Sequence, residues 1–208
     1  EATTSTSPQI GSASVDVPDE SPGPLANELA EDRSENAEMA AKGSAVNDPD
    51  RVLRHAVFFA FKEESTEEDI QGVVDAFKAL PSKIPEIIDF EWGVNNSEEG
   101  FDDGFTHAFL LTFKDEAGRA TYLPHPDHKA FGDVLRPHME DVFVIDYWGA
   151  ADEGPEKQLK HAVFFKFKDD ASQEDVRGVV EAFAALPDKI ETIRGFEWGR
   201  NNSPEKHD

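Results

Sequence analysis

The stretch that decides the fold is residues 53–97, LRHAVFFAFKEESTEEDIQGVVDAFKALPSKIPEIIDFEWGVNNS, because it occurs twice. Residues 159–203 repeat it without a gap at an offset of 106 positions (159 − 53), and about 28 of the 45 positions are identical. Self-similarity at a fixed offset indicates a duplicated structural unit. The sequence therefore predicts a tandem repeat, whose second copy we expect to stop at Asp208, before any counterpart of the first copy's later segments.

Two periodicities alternate along the first copy. HAVFFAFK, residues 55–62, has the two-residue period of a strand that is buried on both faces. STEEDIQGVVDAFKALP, residues 65–81, has the period of a helix, and Ser65 with Glu68 matches a capping box at its start. Three further alternating segments, IIDFEWG, FTHAFLLTF and DVFVIDYWG, predict three more strands, with a polar helical region before the last of them.

The resulting order, β-α-β-β-α-β, predicts an α+β fold of the ferredoxin-like kind, with a four-stranded antiparallel sheet and both helices on one face. Apolar residues on the other face, among them Phe58, Leu110 and Val144, would stay exposed in a single unit. An apolar patch of that size is not normally left in water. We therefore expect a second unit to cover it, sheet against sheet.

The composition argues against several classes of function. The 208 residues carry 44 acidic and 20 basic side chains, a net charge of −24. Nucleic-acid binding relies on clustered Lys and Arg, so no nucleic-acid partner is expected. The apolar stretches are far shorter than the roughly 20 residues that span a bilayer, so no membrane span is expected either. The absence of cysteine excludes thiolate metal sites and thiol nucleophiles.

Residues 1–50 differ from the rest of the chain in composition. They contain no Phe, Trp or Tyr and carry eleven acidic residues against Arg33 and Lys42. Such a segment cannot bury enough apolar surface to offset the entropy of ordering it, so it is predicted to be a disordered acidic tail or linker. A start at Glu1 rather than Met, followed by a tether rich in Ser, Pro and acids, favours an exported or periplasmic protein.

Five motifs together resemble the stress-responsive A/B barrel (Dabb) domain family: RHAVFFAFK, FEWG, FTHAFLLTF, YLPHPDHKAFGDVLRP and VIDYWG. The resemblance covers residues 53–149 as a whole domain and residues 159–208 as the first half of a second one. It implies a dimeric α/β barrel built from ferredoxin-like units. The partner would then be a second molecule, in a homodimer, or the tandem copy, in an intramolecular pseudo-dimer.

The same resemblance implies the candidate site residues. In a plant polyketide cyclase of this pattern, a tyrosine and a histidine six residues later form the catalytic pair, and these positions match Tyr122 and His128. Its strand histidines match His55 and His107, which with His125 are expected to contact the substrate. His128 also has the right chemistry for a general base, because an unperturbed imidazole titrates near pH 6.5.

The residues themselves also permit a plainer interpretation of TYLPHPDHKAFGDV, residues 121–134. Pro126 suits the first turn of a helix and Asp127 suits the positive end of the helix dipole, so the motif could simply begin a helix. His125 and His128 have no third ligand at metal-binding spacing, so neither a metal nor another cofactor is expected.

Two classes of function follow from these observations. The first is a protein that binds a small apolar or carbonyl-containing molecule between sheet and helices, and that acts, if it is an enzyme, as a polyketide-cyclase-like lyase or isomerase. The second is a stress-associated oligomerisation or structural module without a substrate.

Overall fold

The computed structural model describes residues 51–151 and 159–207. The predicted tail at residues 1–50 lies outside the described residues. The first copy contains four strands, here numbered in chain order: β1 (Arg51–Phe61), β2 (Ile87–Val94), β3 (His107–Phe113) and β4 (Met139–Ala150). Its helices are α1 (Glu67–Lys78), α2 (Glu116–Tyr122) and α3 (Pro126–Leu135), and a short 3-10 helix covers Leu80–Ser82. The second copy contains helix α4 (Gln173–Ala184).

The four strands form one antiparallel sheet in the order β2-β3-β1-β4. This order is that of a ferredoxin-like unit, and the elements follow the β-α-β-β-α-β pattern with α2 and α3 together in the second helical position, so the predicted fold class is confirmed. No helix among the described residues is both long and apolar enough to cross a membrane.

The core lies between the sheet and helices α1 and α3. Phe59 on β1 and Phe109 on β3 meet Phe77 of α1 and Phe131 of α3, and the rings of Phe77 and Phe131 stack 4.6 Å apart. All four side chains are at most 6 % exposed. Because full burial of one such side chain stabilises a fold by about 1.5–3 kcal/mol, this cluster anchors both helices to one face of the sheet.

Helix α1 begins one residue later than the sequence indicated. Thr66 is its N-cap: the Thr66 hydroxyl accepts the Asp69 amide at 3.2 Å, and the Asp69 carboxylate accepts the Thr66 amide at 2.9 Å. The capping box predicted from Ser65 and Glu68 was therefore wrong. Both pairs fit the pattern, but Ser65 contacts the backbone carbonyl of His138 across the sheet end instead.

The register of β4 corrects one prediction about the outer face of the sheet. Val57 pairs with Val144, and Phe58 pairs with Phe143. Val144 therefore shares the helix-covered face with Val57, and it is 2 % exposed. The outer face presents Phe143 instead, beside Phe58.

The second copy contacts this outer face and the edge of β4. Phe164 meets Phe58 and Phe143 with ring centroids 5.1 and 5.3 Å apart. Residues 201–207 lie along β4, where the Asn202 amide donates to the Asp146 carbonyl at 2.8 Å and the Val144 amide donates to the His207 carbonyl at 2.8 Å. The second copy thus brings its own residues to the end of the sheet where the candidate site lies.

Candidate active site

Tyr122 and His128 meet at the bend between α2 and α3. Tyr122 is the last residue of α2, and Pro126 starts α3, so one continuous helix cannot run through both. The His125 amide donates to the Tyr122 carbonyl at 2.9 Å and closes the turn between them. As a result the rings of Tyr122 and His128 lie 4.2 Å apart, centroid to centroid, with an interplanar angle of 32°.

The hydrogen bonding of His128 decides which of its nitrogens can act as a base. Nδ1 lies 3.0 Å from the Leu123 carbonyl oxygen, which can only accept, so Nδ1 carries the hydrogen. The remaining nitrogen, Nε2, is then the basic one in the neutral ring. Burial lowers the pKa of His128 below its usual 6.5, despite the opposing effects of the Leu123 hydrogen bond and the Glu205 charge. The ring is therefore neutral and able to accept a proton near pH 7.

Tyr122 has the complementary property. It is 1 % exposed, and burial, followed by the negative charges of Glu205 and Asp146, raises the pKa of its phenol. A phenol with a raised pKa keeps its proton, so Tyr122 can serve as a hydrogen-bond donor rather than as a base.

A buried network stands beside this pair. Asp146 on β4 is the direct cross-strand partner of His55 on β1, and its Oδ1 lies 2.5 Å from His55 Nδ1. Its other oxygen, Oδ2, accepts from the Arg119 guanidinium of α2 at 2.7 Å. Burial alone would raise the pKa of Asp146, but the hydrogen bonds and positive charges of His55 and Arg119 outweigh it and lower the pKa.

The network and the Tyr122–His128 pair form one continuous group. The His55 ring lies 5.7 Å from the Tyr122 ring in an edge-on arrangement. Because the carboxylate of Asp146 can only accept, it fixes the His55 hydrogen on Nδ1 and turns Nε2 away from itself. Glu205 of the second copy approaches that nitrogen, with its Oε2 3.8 Å from His55 Nε2.

His107 does not belong to this group. It pairs with Phe59, whereas Leu111, four residues further along β3, pairs with His55. Four strand positions correspond to about 13 Å, which places the two histidines toward opposite ends of the sheet. His107 packs edge-on against Phe61 at 5.1 Å, and burial lowers its pKa.

His125 caps helix α3. Its Nδ1 accepts the Asp127 amide at 3.2 Å, which satisfies one of the unpaired amides at the helix start. The structure therefore places His125 at the helix start and brings Tyr122, His128 and His55 together, while His107 stands apart.

Sequence reasoning missed three residues of the site: Asp146, Arg119 and Glu205. Asp146 could have been found from the alternation of β4, because it lies two positions from Val144 and two from Trp148 and therefore on the same buried face of the strand.

His55, Asp146 and Glu205 are the described residues whose grouping could hold a metal ion. Both oxygens of Asp146 are already bonded, one to His55 and one to the Arg119 guanidinium. Only His55 Nε2 and the Glu205 carboxylate then remain as ligands, fewer than the three or four protein ligands of typical zinc sites. The arrangement fits acid–base chemistry better than metal binding.

Comparison with known proteins places this arrangement in a family. The sequence profile of the Stress Responsive A/B Barrel Domain family matches residues 53–149 and 159–208. Olivetolic acid cyclase of Cannabis sativa is 30 % identical over 96 residues, which are 46 % of this chain and 95 % of the cyclase. Stress-response A/B barrel domain-containing protein HS1 of Arabidopsis thaliana is 30 % identical over 95 residues, 46 % of this chain and 87 % of that protein.

Among solved structures, the chain is similar to a hydroxynitrile lyase from Passiflora edulis. It is 26 % identical, covers 51 % of this chain and 100 % of its own, and superposes with a TM-score of 0.47. The profile match spans both copies of the repeat, well over half of the chain. The chain therefore belongs to the stress-responsive A/B barrel domain family.

Proposed function

We propose that the first copy binds a small carbonyl-containing molecule and promotes proton transfer at a carbon next to its carbonyl group. The observation that carries this proposal is the contact between Tyr122, a phenol that keeps its proton, and His128, a neutral imidazole with a free basic nitrogen. One group accepts a proton while the other donates a hydrogen bond, which is the pairing that enolisation of a ketone requires.

For a linear poly-β-keto thioester, the same pair supports an intramolecular aldol step. His128 Nε2 takes a proton from the carbon between two carbonyl groups, and that carbon attacks a ketone carbon further along the chain. One carbon–carbon bond forms, the ketone π bond breaks, and the resulting alkoxide takes the phenolic proton of Tyr122. Transfer of the proton from His128 back to Tyr122 restores both residues.

The geometry limits how such a molecule can sit. Rings whose centroids are 4.2 Å apart leave no room for a ligand between them. His128 is half-buried whereas Tyr122 is fully buried, so the ligand has to approach along the His128 edge. The similarity to olivetolic acid cyclase supports the choice of substrate class.

The second class, a structural module, is favoured by a different observation. Phe164 of the second copy packs on Phe58 and Phe143 of the first, as two units paired through their sheets would. We propose that the tandem copies form an intramolecular pseudo-dimer. This arrangement is compatible with catalysis, and it remains as the whole function if no carbonyl compound is turned over.

The test is cyclisation of a linear poly-β-keto thioester, followed over a range of pH. We expect acceleration over the uncatalysed reaction. Because His128 acts in its neutral form and burial lowers its pKa, kcat/KM should rise with pH through a midpoint below 6.5 and then level off. A rate equal to the uncatalysed one at every pH would leave the structural module as the function.

A further inference from the structure

Glu205 reaches the first-copy site on a turn that belongs to the second copy. The Ser203 amide donates to the Asn201 side chain at 2.9 Å, and the Glu205 amide donates to the Ser203 hydroxyl at 3.3 Å. Asn202 anchors the turn, since its side-chain oxygen accepts from the Arg119 guanidinium at 3.0 Å. The position of the Glu205 carboxylate is therefore fixed by local bonds and by the buried network of the first copy.

The first copy carries the same turn at the equivalent positions, 106 residues earlier. The Ser97 amide donates to the Asn95 side chain at 2.9 Å, and the Glu99 amide donates to the Ser97 hydroxyl at 3.3 Å. Glu99, the counterpart of Glu205, lies 3.7 Å from His161, which is itself the counterpart of His55. Each copy thus presents a glutamate to the first-strand histidine of the other copy.

Two further contacts show the same reciprocity. Arg54 meets Glu197 at 3.5 Å, and their counterparts Lys160 and Glu91 meet at 3.3 Å. Phe58 contacts Phe164, its own counterpart. Reciprocal contacts of this kind are the signature of a two-fold, isologous interface. The approach of Glu205 to His55 is therefore a property of the repeat and not an accident of one loop.

One oxygen of the Glu205 carboxylate, Oε2, is unpartnered within the described chain on the side that faces His55. The facing Glu205 Oε2 is buried and has no hydrogen-bond partner among the described residues. This oxygen and His55 Nε2 are 3.8 Å apart, too far for a direct hydrogen bond. A buried carboxylate oxygen without a partner is costly, so a donor from outside the chain is needed here.

We propose that Glu205, supplied by the second copy and lying beside His55, accepts the acidic hydroxyl of the ligand, which for a β-dicarbonyl compound is its enol. The ligand class rests on the proposed function. The assignment adds a recognition residue from the other copy and a preference for the enol form over the keto form.

The experiment is isothermal titration calorimetry of the full chain with an alkyl β-diketone and with its α,α-dimethyl analogue, which has no enol form. The variant is Glu205→Gln, and the matched control is Glu99→Gln, which makes the same change in the equivalent turn next to His161. We expect the wild type to bind the enolisable diketone about tenfold or more tightly than the analogue, as loss of a hydrogen bond to a charged group implies. Glu205→Gln should lose this preference and Glu99→Gln should keep it.

An unchanged preference in Glu205→Gln, equal binding of both compounds by the wild type, or binding of neither would overturn the proposal. A normal circular dichroism spectrum of Glu205→Gln separates lost recognition from lost folding. Diketone binding without cyclisation of the poly-β-keto thioester would refute the proposed function but leave this inference standing.

Discussion

Replacement of Asp146 by Asn is expected to lower the free energy of unfolding by about 3–5 kcal/mol. The substitution keeps the size of the side chain and removes only its charge. Asp146 is fully buried and bonds His55 with one oxygen and Arg119 with the other. Without the carboxylate, the guanidinium of Arg119, which is 8 % exposed, stays in the interior with no opposite charge on β4.

Urea unfolding of the purified protein measures this loss. Glu140→Gln is the matched control, because it makes the same kind of change at an exposed position of the same strand and should alter stability by no more than about 0.5 kcal/mol. A loss below about 1 kcal/mol for Asp146→Asn would show that the network does not support the fold.

The pH dependence of stability provides a second readout of the same substitution. His55 and Arg119 lower the pKa of Asp146 in the folded protein, although burial opposes them. The stabilising effect is therefore complete above the unfolded pKa, about 3.9, and is lost as the pH falls through the lower folded pKa. Wild-type stability should drop in this acid range, and Asp146→Asn should lack that part of the drop.

Replacement of His128 by Ala is expected to reduce kcat for the poly-β-keto thioester about 10²–10⁴-fold, the usual contribution of a general base. The ring is half-buried and its Nδ1 bonds only a nearby carbonyl, so the melting temperature should change little. Cyclisation kinetics and thermal unfolding of the same preparations measure both quantities.

His125→Ala is the control for this substitution, three residues away on the same turn. His125 caps α3, so its loss should cost about 1 kcal/mol of stability while kcat stays near the wild-type value. If His125→Ala and His128→Ala lose activity in parallel with stability, the motif is only a helix start.

The sequence was sufficient to predict the architecture, because strand and helix periods differ and the repeat shows each period twice. Its errors were local. Ser65–Glu68 and Thr66–Asp69 both match a capping box, and only the contact of Ser65 with the His138 carbonyl separates them. Val144 was predicted to lie on the outer face, but it pairs with Val57 and therefore lies on the face that the helices cover.

The site was harder to predict because it depends on contacts between distant segments. Tyr122 and His128 lie six residues apart and were accessible from one motif. Asp146 becomes the partner of His55 only through the β1–β4 register, across 91 residues of chain. Glu205 approaches His55 only because the second copy packs on the first, and no local pattern carries that information.

The most direct test of the account is the nitrogen NMR spectrum of the histidine side chains while the wild-type protein is titrated with the alkyl β-diketone. We expect the Nε2 signals of His128 and His55 to shift together with ligand concentration, whereas the signals of His107, toward the other end of the sheet, should stay in place. A shift confined to His107, or no histidine shift when the ligand is bound, would contradict a single acid–base site built from Tyr122, His128 and His55.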